Sequence, residues 1–305
     1  MTLAHPRYRH VDFLLLGVAA AWGSTYLTVK DLTRHAPILG LLSTRFALTT
    51  LFLGLVVVRQ WRSFGKRELF VGTVLGLTQA FIIFLEALGV SKTSASNGGL
   101  IISLAIVLTP MMDGLFTKKW LPKSFFFAAA MAFAGVAILI SGNGFHKPNV
   151  GDALFLLAAF CRGAHVVAFA HMTHESKGRN VSSLRLTWIQ SAVCFAIFFL
   201  ISPHKTFTAF GNYDRNDWFG ILYLSIICTA LAFFIQGLAI RKTSAARASL
   251  LLGTEPIWAV ALAVLLGGER LALLAAIGAL MIVSGTYWGA EIELRFRKRP
   301  QSVHE

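Results

Sequence analysis

Seven side chains stand inside otherwise apolar stretches: Trp22, Ser24, Gln79, Glu86, Arg162, His165 and Glu255. Together they offer hydrogen-bond donors and acceptors, a guanidinium and two titratable carboxylates, which is the inventory a site for a small polar solute requires. The expected cavity has Trp22, Ser24 and Gln79 on one wall and Arg162 and His165 opposite. Glu255 and Glu86 are the candidates for taking up a proton. Gln79 and Glu86 are seven residues apart, two turns along one helix, and Arg162 and His165 are three apart, so each pair shares a face. Glu255 precedes Pro256, whose ring removes a backbone donor and opens the helix ladder. Its carboxylate either binds a proton or substrate or caps the freed backbone groups. An ionisable group in lipid costs roughly 2.5 kcal/mol or more, so each should face a cavity or a partner. For Arg162 the choice lies between an anionic solute group and a structural pair with a glutamate. Glu86 lies within a turn of the outer boundary, where an interfacial role competes with proton coupling. Arg45 reads as a residue that snorkels or holds a neighbouring carbonyl.

The elements that must position these groups follow from hydropathy. Of the 305 residues 56% are hydrophobic and only 14% charged, and the mean hydropathy is +0.67. A soluble domain runs at about 45–50% apolar and about 25% charged. Apolar runs recur along the chain at the length needed to cross ~30 Å of hydrocarbon. Ten spans are predicted, near 11–30, 38–58, 69–89, 96–117, 124–141, 151–171, 184–202, 217–239, 247–266 and 271–289. The fold class is therefore all-α integral membrane, with ten transmembrane helices.

The sequence also repeats itself. Residues 81–104 and 231–254 align on Lys-Thr-Ser-Ala (92–95 and 242–245) at an offset of 150, pairing Phe84 with Phe234 and Glu86 with Gln236. Thr109-Pro110 recurs as Glu255-Pro256 displaced by four residues, about one helical turn. The chain thus divides into residues 1–145, helices 1–5, and 146–305, helices 6–10 with a basic tail. Five helices is an odd number, so the second half enters from the opposite side, and inverted repeats of this kind support alternating access in secondary transporters. With the N-terminus inside, 19 lysines and arginines fall on the cytoplasmic face and seven on the other. The expected protein is multi-pass in the cell inner (plasma) membrane with both termini cytoplasmic. Ala19-Ala20-Ala21 imitates a signal-peptidase site, but polar residues continue the first helix and the repeat needs it, so it is read as retained.

The formal charge of +14 is explained by topology, without a nucleic-acid partner. Cys161, Cys194 and Cys228 fall in apolar runs, in neither a disulfide nor a zinc pattern. His171, His174 and Glu175 form HxxHE, which is not the order of the known zinc helices, and no metal or cofactor is expected. The absence of a GxxxxGK[ST] loop argues against ATP-driven transport. A membrane-embedded metal-dependent enzyme using His165, His171, His174 and Glu175, or a non-transporting membrane subunit, is the alternative. The inverted repeat and the mid-depth polar groups weigh against both. Two halves in one chain make a complete pathway, so a monomer is sufficient.

Ala21-Trp22-Gly23-Ser24, Arg45-Phe46, KTSASN (92–97) leading to Pro110, KTSAARASLL (242–251) leading to Glu255-Pro256, and Leu-Leu-Gly-Gly-Glu269-Arg270-Leu follow one another in an order and spacing that resembles the EamA family of the drug/metabolite transporter superfamily. The likeness covers essentially the whole chain and is better in the second half. The resemblance implies a transporter of small polar or amphipathic metabolites, often an exporter of amino acids, with a central cavity lined by helices 1–4 and 6–9. Helices 5 and 10 would lie at the periphery. Cys161-Arg162-Gly163 departs from the pattern, since a small or aromatic residue is expected where Arg162 stands.

Overall fold

The computed structural model describes residues 9–58, 65–118, 120–142, 149–173, 182–236, 251–270 and 272–298. Among these, nine helices are long and apolar enough to span a membrane and a tenth apolar helix is shorter. In chain order they are α1 (Arg9–His35), α2 (Ile38–Val57), α3 (Lys66–Val90), α4 (Ala95–Thr117), α5 (Lys123–Gly142), α6 (Val150–Thr173), α7 (Ser183–Ile201), α8 (Arg215–Gln236), α9 (Glu255–Leu265) and α10 (Leu273–Lys298). The second Lys-Thr-Ser-Ala segment, 242–245, lies outside the described residues, as do His174 and Glu175. Large apolar side chains such as Phe70, Leu115, Phe127, Leu200 and Leu273 stand uncovered on the outer surface, as they must where lipid is the solvent.

Two elements exceed the sequence expectation. The first helix runs several residues past 30, ending on Arg34 and His35, cations that complement the negative end of the helix dipole. Between α7 and α8, where a loop is expected, Pro203–Asn212 forms a short helix with proline at its first position, preset to helical φ. Phe207 and Phe210 are exposed on it, the pattern of a helix lying along a membrane interface. Its backbone presses on α2, where Gly40 has no room for a side chain against Lys205 O.

The internal repeat is visible in the packing. Exchange of the two halves carries α1 onto α6, and it carries the α1–α9 contact onto α6–α4, α2–α8 onto α7–α3 and α1–α8 onto α6–α3, all of which exist. The α2–α7, α4–α9 and α5–α10 contacts map onto themselves. Helices α5 and α10 form a close pair, with Gly135, Gly278 and Gly285 each against partner backbone.

The repeat extends to a backbone defect. In α4 the helix is interrupted at Ser103-Leu104, and the same turn occurs at Gly253-Thr254 just before α9. Leu104 N–H bonds Ile101 O as Thr254 N–H bonds Leu251 O. Val107 and Leu108 N–H both return to Leu104 O, and Ile257 and Trp258 N–H both return to Thr254 O. The offset is 150 throughout, so the four-residue displacement of the proline leaves the break in register. Pro256 has no N–H to copy the bond from Ile106 to Ser103 O. A second irregularity, a π-helical stretch over Tyr223–Leu231 in α8, widens the helix where it meets α1 and α2.

Candidate functional site

The two broken helices approach α1 and α6 through glycine. Gly23 of α1 sits so near α9 that a Cβ would lie 2.7 Å from Ala259 N and 2.8 Å from Trp258 Cβ. Gly163 of α6 meets α4 in the same way but more loosely, at 3.3 Å from Leu108 Cβ and 3.4 Å from Thr109 N. The contacted residues, 258 and 259 against 108 and 109, again differ by 150. The residue before each glycine therefore occupies equivalent ground, and it is Trp22 in one half and Arg162 in the other.

Arg162 lies between two carboxylates from different halves. Its Nη2 donates to Glu86 Oε1 at 2.6 Å, and its Nη1 is 3.8 Å from Glu255 Oε1. Tyr26 completes the group, its hydroxyl donating to Glu255 Oε1 at 2.7 Å. The cluster joins α1, α3, α6 and α9. Glu86 is buried, so its charge depends on the neighbouring guanidinium for stability.

The other expected residues make their contacts elsewhere on the helices. Trp22 Nε1 donates 2.8 Å to Cys228 O on α8, and its ring packs on Phe233. Ser24 Oγ is 2.8 Å from Tyr223 Oη and also donates to Ala21 O. His165 Nδ1 lies 2.6 Å from Thr78 Oγ1 on α3, and Gln79, half-buried, is the next residue along. A small cavity of about 20 Å³ adjoins Glu86, with Thr25, Tyr26, Arg45 and Ile83 in its walls. That volume suits about one ordered water. Any metabolite entering here requires the helices to separate.

Arg45 of α2 borders the same cavity and is 5% exposed. Its Nη2 donates to Thr229 Oγ1 at 3.0 Å, and its guanidinium carbon lies 5.5 Å from the Phe46 ring centroid. The widened turn of α8 meets the α2 backbone here, with Ser225 Oγ donating to Arg45 O and Thr49 Oγ1 to Ser225 O. The expected snorkelling route to the interface is thus not the one taken: the side chain turns inward to α8.

Charged groups also tie the ends of the bundle. Glu269, between α9 and α10, accepts from the N–H groups of Ala95 and Ser96 at 2.8 and 3.0 Å and from Lys30 Nζ at 3.0 Å. It caps the start of α4, where the unpaired N–H groups and the dipole favour an anion. Burial works to raise the Glu269 carboxyl, but the hydrogen bonds from Ser96, Lys30 and Ala95 outweigh it and hold it below the ordinary carboxylate range. Asp152 binds Thr93 Oγ1 at the same end. Near the opposite end Glu68 receives a bidentate pair from Arg185, at 2.9 Å from Nε to Oε2 and 2.8 Å from Nη2 to Oε1, and the Ser182 N–H. His171 of the HxxHE segment meets Asp113 at 2.9 Å.

Three of these residues were absent from the sequence-based site. Tyr26 follows Trp22 by four residues on the same helix face, a spacing that could have marked it. Glu269 was legible only as part of a motif. Thr229 gives no local signal, since its role depends on the widened turn of α8.

Among the described residues, nine membrane-length helices and a shorter tenth form a two-repeat bundle with an ionisable cluster between the repeats, an architecture that suits a membrane transporter. The signature of the EamA-like transporter family matches residues 10–141 and 149–288, and the chain belongs to that family. It is 27% identical to an uncharacterized transporter of Archaeoglobus fulgidus over 276 residues, 90% of this chain and 83% of that one. A protein of Salmonella typhimurium described as a probable amino-acid metabolite efflux pump is 27% identical, covering 92% of this chain and 94% of its own. Its Escherichia coli namesake is 25% identical over 93% and 96%. A crystal structure at 16% identity has the same fold, with a TM-score of 0.57 over 95% of this chain and 99% of that one. Family and relatives point to transport rather than catalysis.

Proposed function

We propose that this chain is a secondary exporter of small polar or amphipathic metabolites such as amino acids, working by alternating access of its two inverted halves, residues 1–145 and 146–305. The observation that carries the reading is Arg162 held between Glu86 of the first half and Glu255 of the second. A charge network that bridges the halves responds to any rearrangement between them. Proton uptake by Glu255 or Glu86 weakens the bridge, which couples a proton to the movement. Trp22, Ser24, Gln79 and His165 supply the remaining polar wall of the opened cavity. The relatives described as amino-acid metabolite efflux pumps support the substrate class, and the distribution of lysine and arginine supports cytoplasmic termini in the plasma membrane. One chain carries both halves, so the pathway is complete in a monomer.

The test uses proteoliposomes and a panel of labelled amino acids under an imposed pH gradient. Glu255→Gln keeps an acceptor for Tyr26 but cannot titrate, so it should abolish pH-driven flux while substrate binding survives. Wild-type flux from that variant would remove Glu255 from the coupling.

A further inference from the structure

Arg45 faces the same cavity as Glu86 but stands apart from the ion-pair cluster. Arg162 has two carboxylates within ion-pair distance, and Arg45 has none among the described residues. Its one hydrogen bond from the side chain goes to the neutral hydroxyl of Thr229, and its buried Nε finds no acceptor. A guanidinium does not lose its proton in a protein, so burial cannot be relieved by neutralisation. A side chain that is 5% exposed, lines a cavity and leaves part of its planar fork unpaired is preorganised for a carboxylate. The equivalent place in the other half points the same way. Arg45 and Gln190 are each the eighth residue of their helix, α2 and α7, and Gln190 Nε2 is also buried without a partner.

The balance of charge narrows the ligand. Arg45 and Arg162 together offset Glu86 and Glu255, so the four groups sum to zero. A lone anion upsets that balance in a medium that penalises net charge, whereas a zwitterion preserves it. We propose that Arg45 is the anion-binding residue of this cavity, taking the carboxylate of an α-amino acid whose ammonium group turns to Glu86. Val29, Leu42, Ile83 and Val90 form the apolar part of the wall and receive the side chain. This assignment rests on the transporter reading and moves the substrate anion from Arg162, which is already neutralised, to Arg45.

The purified full chain in lipid nanodiscs is melted with three matched sets of probes: free L-amino acids, their methyl esters, and the amines left when the carboxylate is removed. At least one free amino acid should raise the melting temperature while its ester and amine do not. Arg45→Gln should weaken that binding by roughly ten- to a hundredfold, the worth of a hydrogen bond to a charged group. Arg45→Lys keeps the charge without the fork and should fall between. Esters or amines that bind as well as the acids overturn the assignment, as does unchanged binding in Arg45→Gln or no shift from any amino acid. Should Arg45→Gln fail to fold, the contrast between acid and ester in the wild type decides alone. Flux of the amines in proteoliposomes without flux of the acids would sink the Arg45 assignment and leave the transporter reading standing. No flux with any probe would sink both.

Discussion

Trp22 and Arg162 occupy the same place in the two halves, each one residue ahead of a glycine seated against the other half's broken helix. Trp22 makes one hydrogen bond to a backbone carbonyl and packs at a tilt against an aromatic ring. Arg162 carries a full charge between two carboxylates. The difference teaches that duplication preserved the backbone plan and freed the side chains. The glycine seat and the break fix how the helices cross, and those were kept in register. The residue beside the glycine carries a charge in one half and a ring in the other.

The largest break of this comparison should come from Arg162→Met. It leaves the buried Glu86 and the half-buried Glu255 without their cation, and breaking such a pair costs about 3–5 kcal/mol. Chemical denaturation in detergent reads the loss, and adding Glu86→Gln and Glu255→Gln should recover most of it. A single variant as stable as wild type would mean that the charges are not held as described.

The two glycine seats should differ next. A methyl at Gly23 meets backbone and Cβ atoms of α9 within 2.9 Å, so Gly23→Ala should cost about 1–3 kcal/mol. At Gly163 the nearest atoms are at 3.3 Å and one is the mobile Met112 sulfur. There the helix propensity of alanine offsets the crowding, and Gly163→Ala should change stability by under about 1 kcal/mol. Equal effects at the two sites would erase the asymmetry. Trp22→Phe, which deletes a single hydrogen bond, should cost about 1 kcal/mol, well below Arg162→Met.

The smallest effect belongs to Glu269, the cap that the second half places on the first half's broken helix. Its carboxyl is held below the ordinary range in the folded protein. The stabilisation is therefore present above the unfolded carboxylate pKa of about 4.3 and is lost as pH falls through the lower folded value. Melting temperatures taken from about pH 6 to about pH 3 should drop less in Glu269→Gln than in wild type. An unchanged drop would show that this cap contributes nothing.

The amino-acid sequence by itself determined the class of protein. Hydropathy is a local property, so ten apolar runs could be counted without knowing their partners, and the repeat at 150 was readable because duplication copies letters. Sequence also singled out Arg162, Glu86 and Glu255, because an ionisable residue in lipid is conspicuous wherever it points. It left open whether Arg162 serves solute or structure, and it read Arg45 as either snorkelling or holding a neighbouring carbonyl. Only the tertiary structure shows what each guanidinium touches. Arg162 and Glu86 are 76 residues apart and Tyr26 and Glu255 are 229 apart, and no periodicity within a helix reports such distances. The widened turn that brings Thr229 to Arg45 has no residue signature either. Which buried cation finds an anion depends on how helices from opposite ends of the chain rotate against each other. That rotation is set by glycine contacts and backbone breaks, and it exists only once the bundle is assembled.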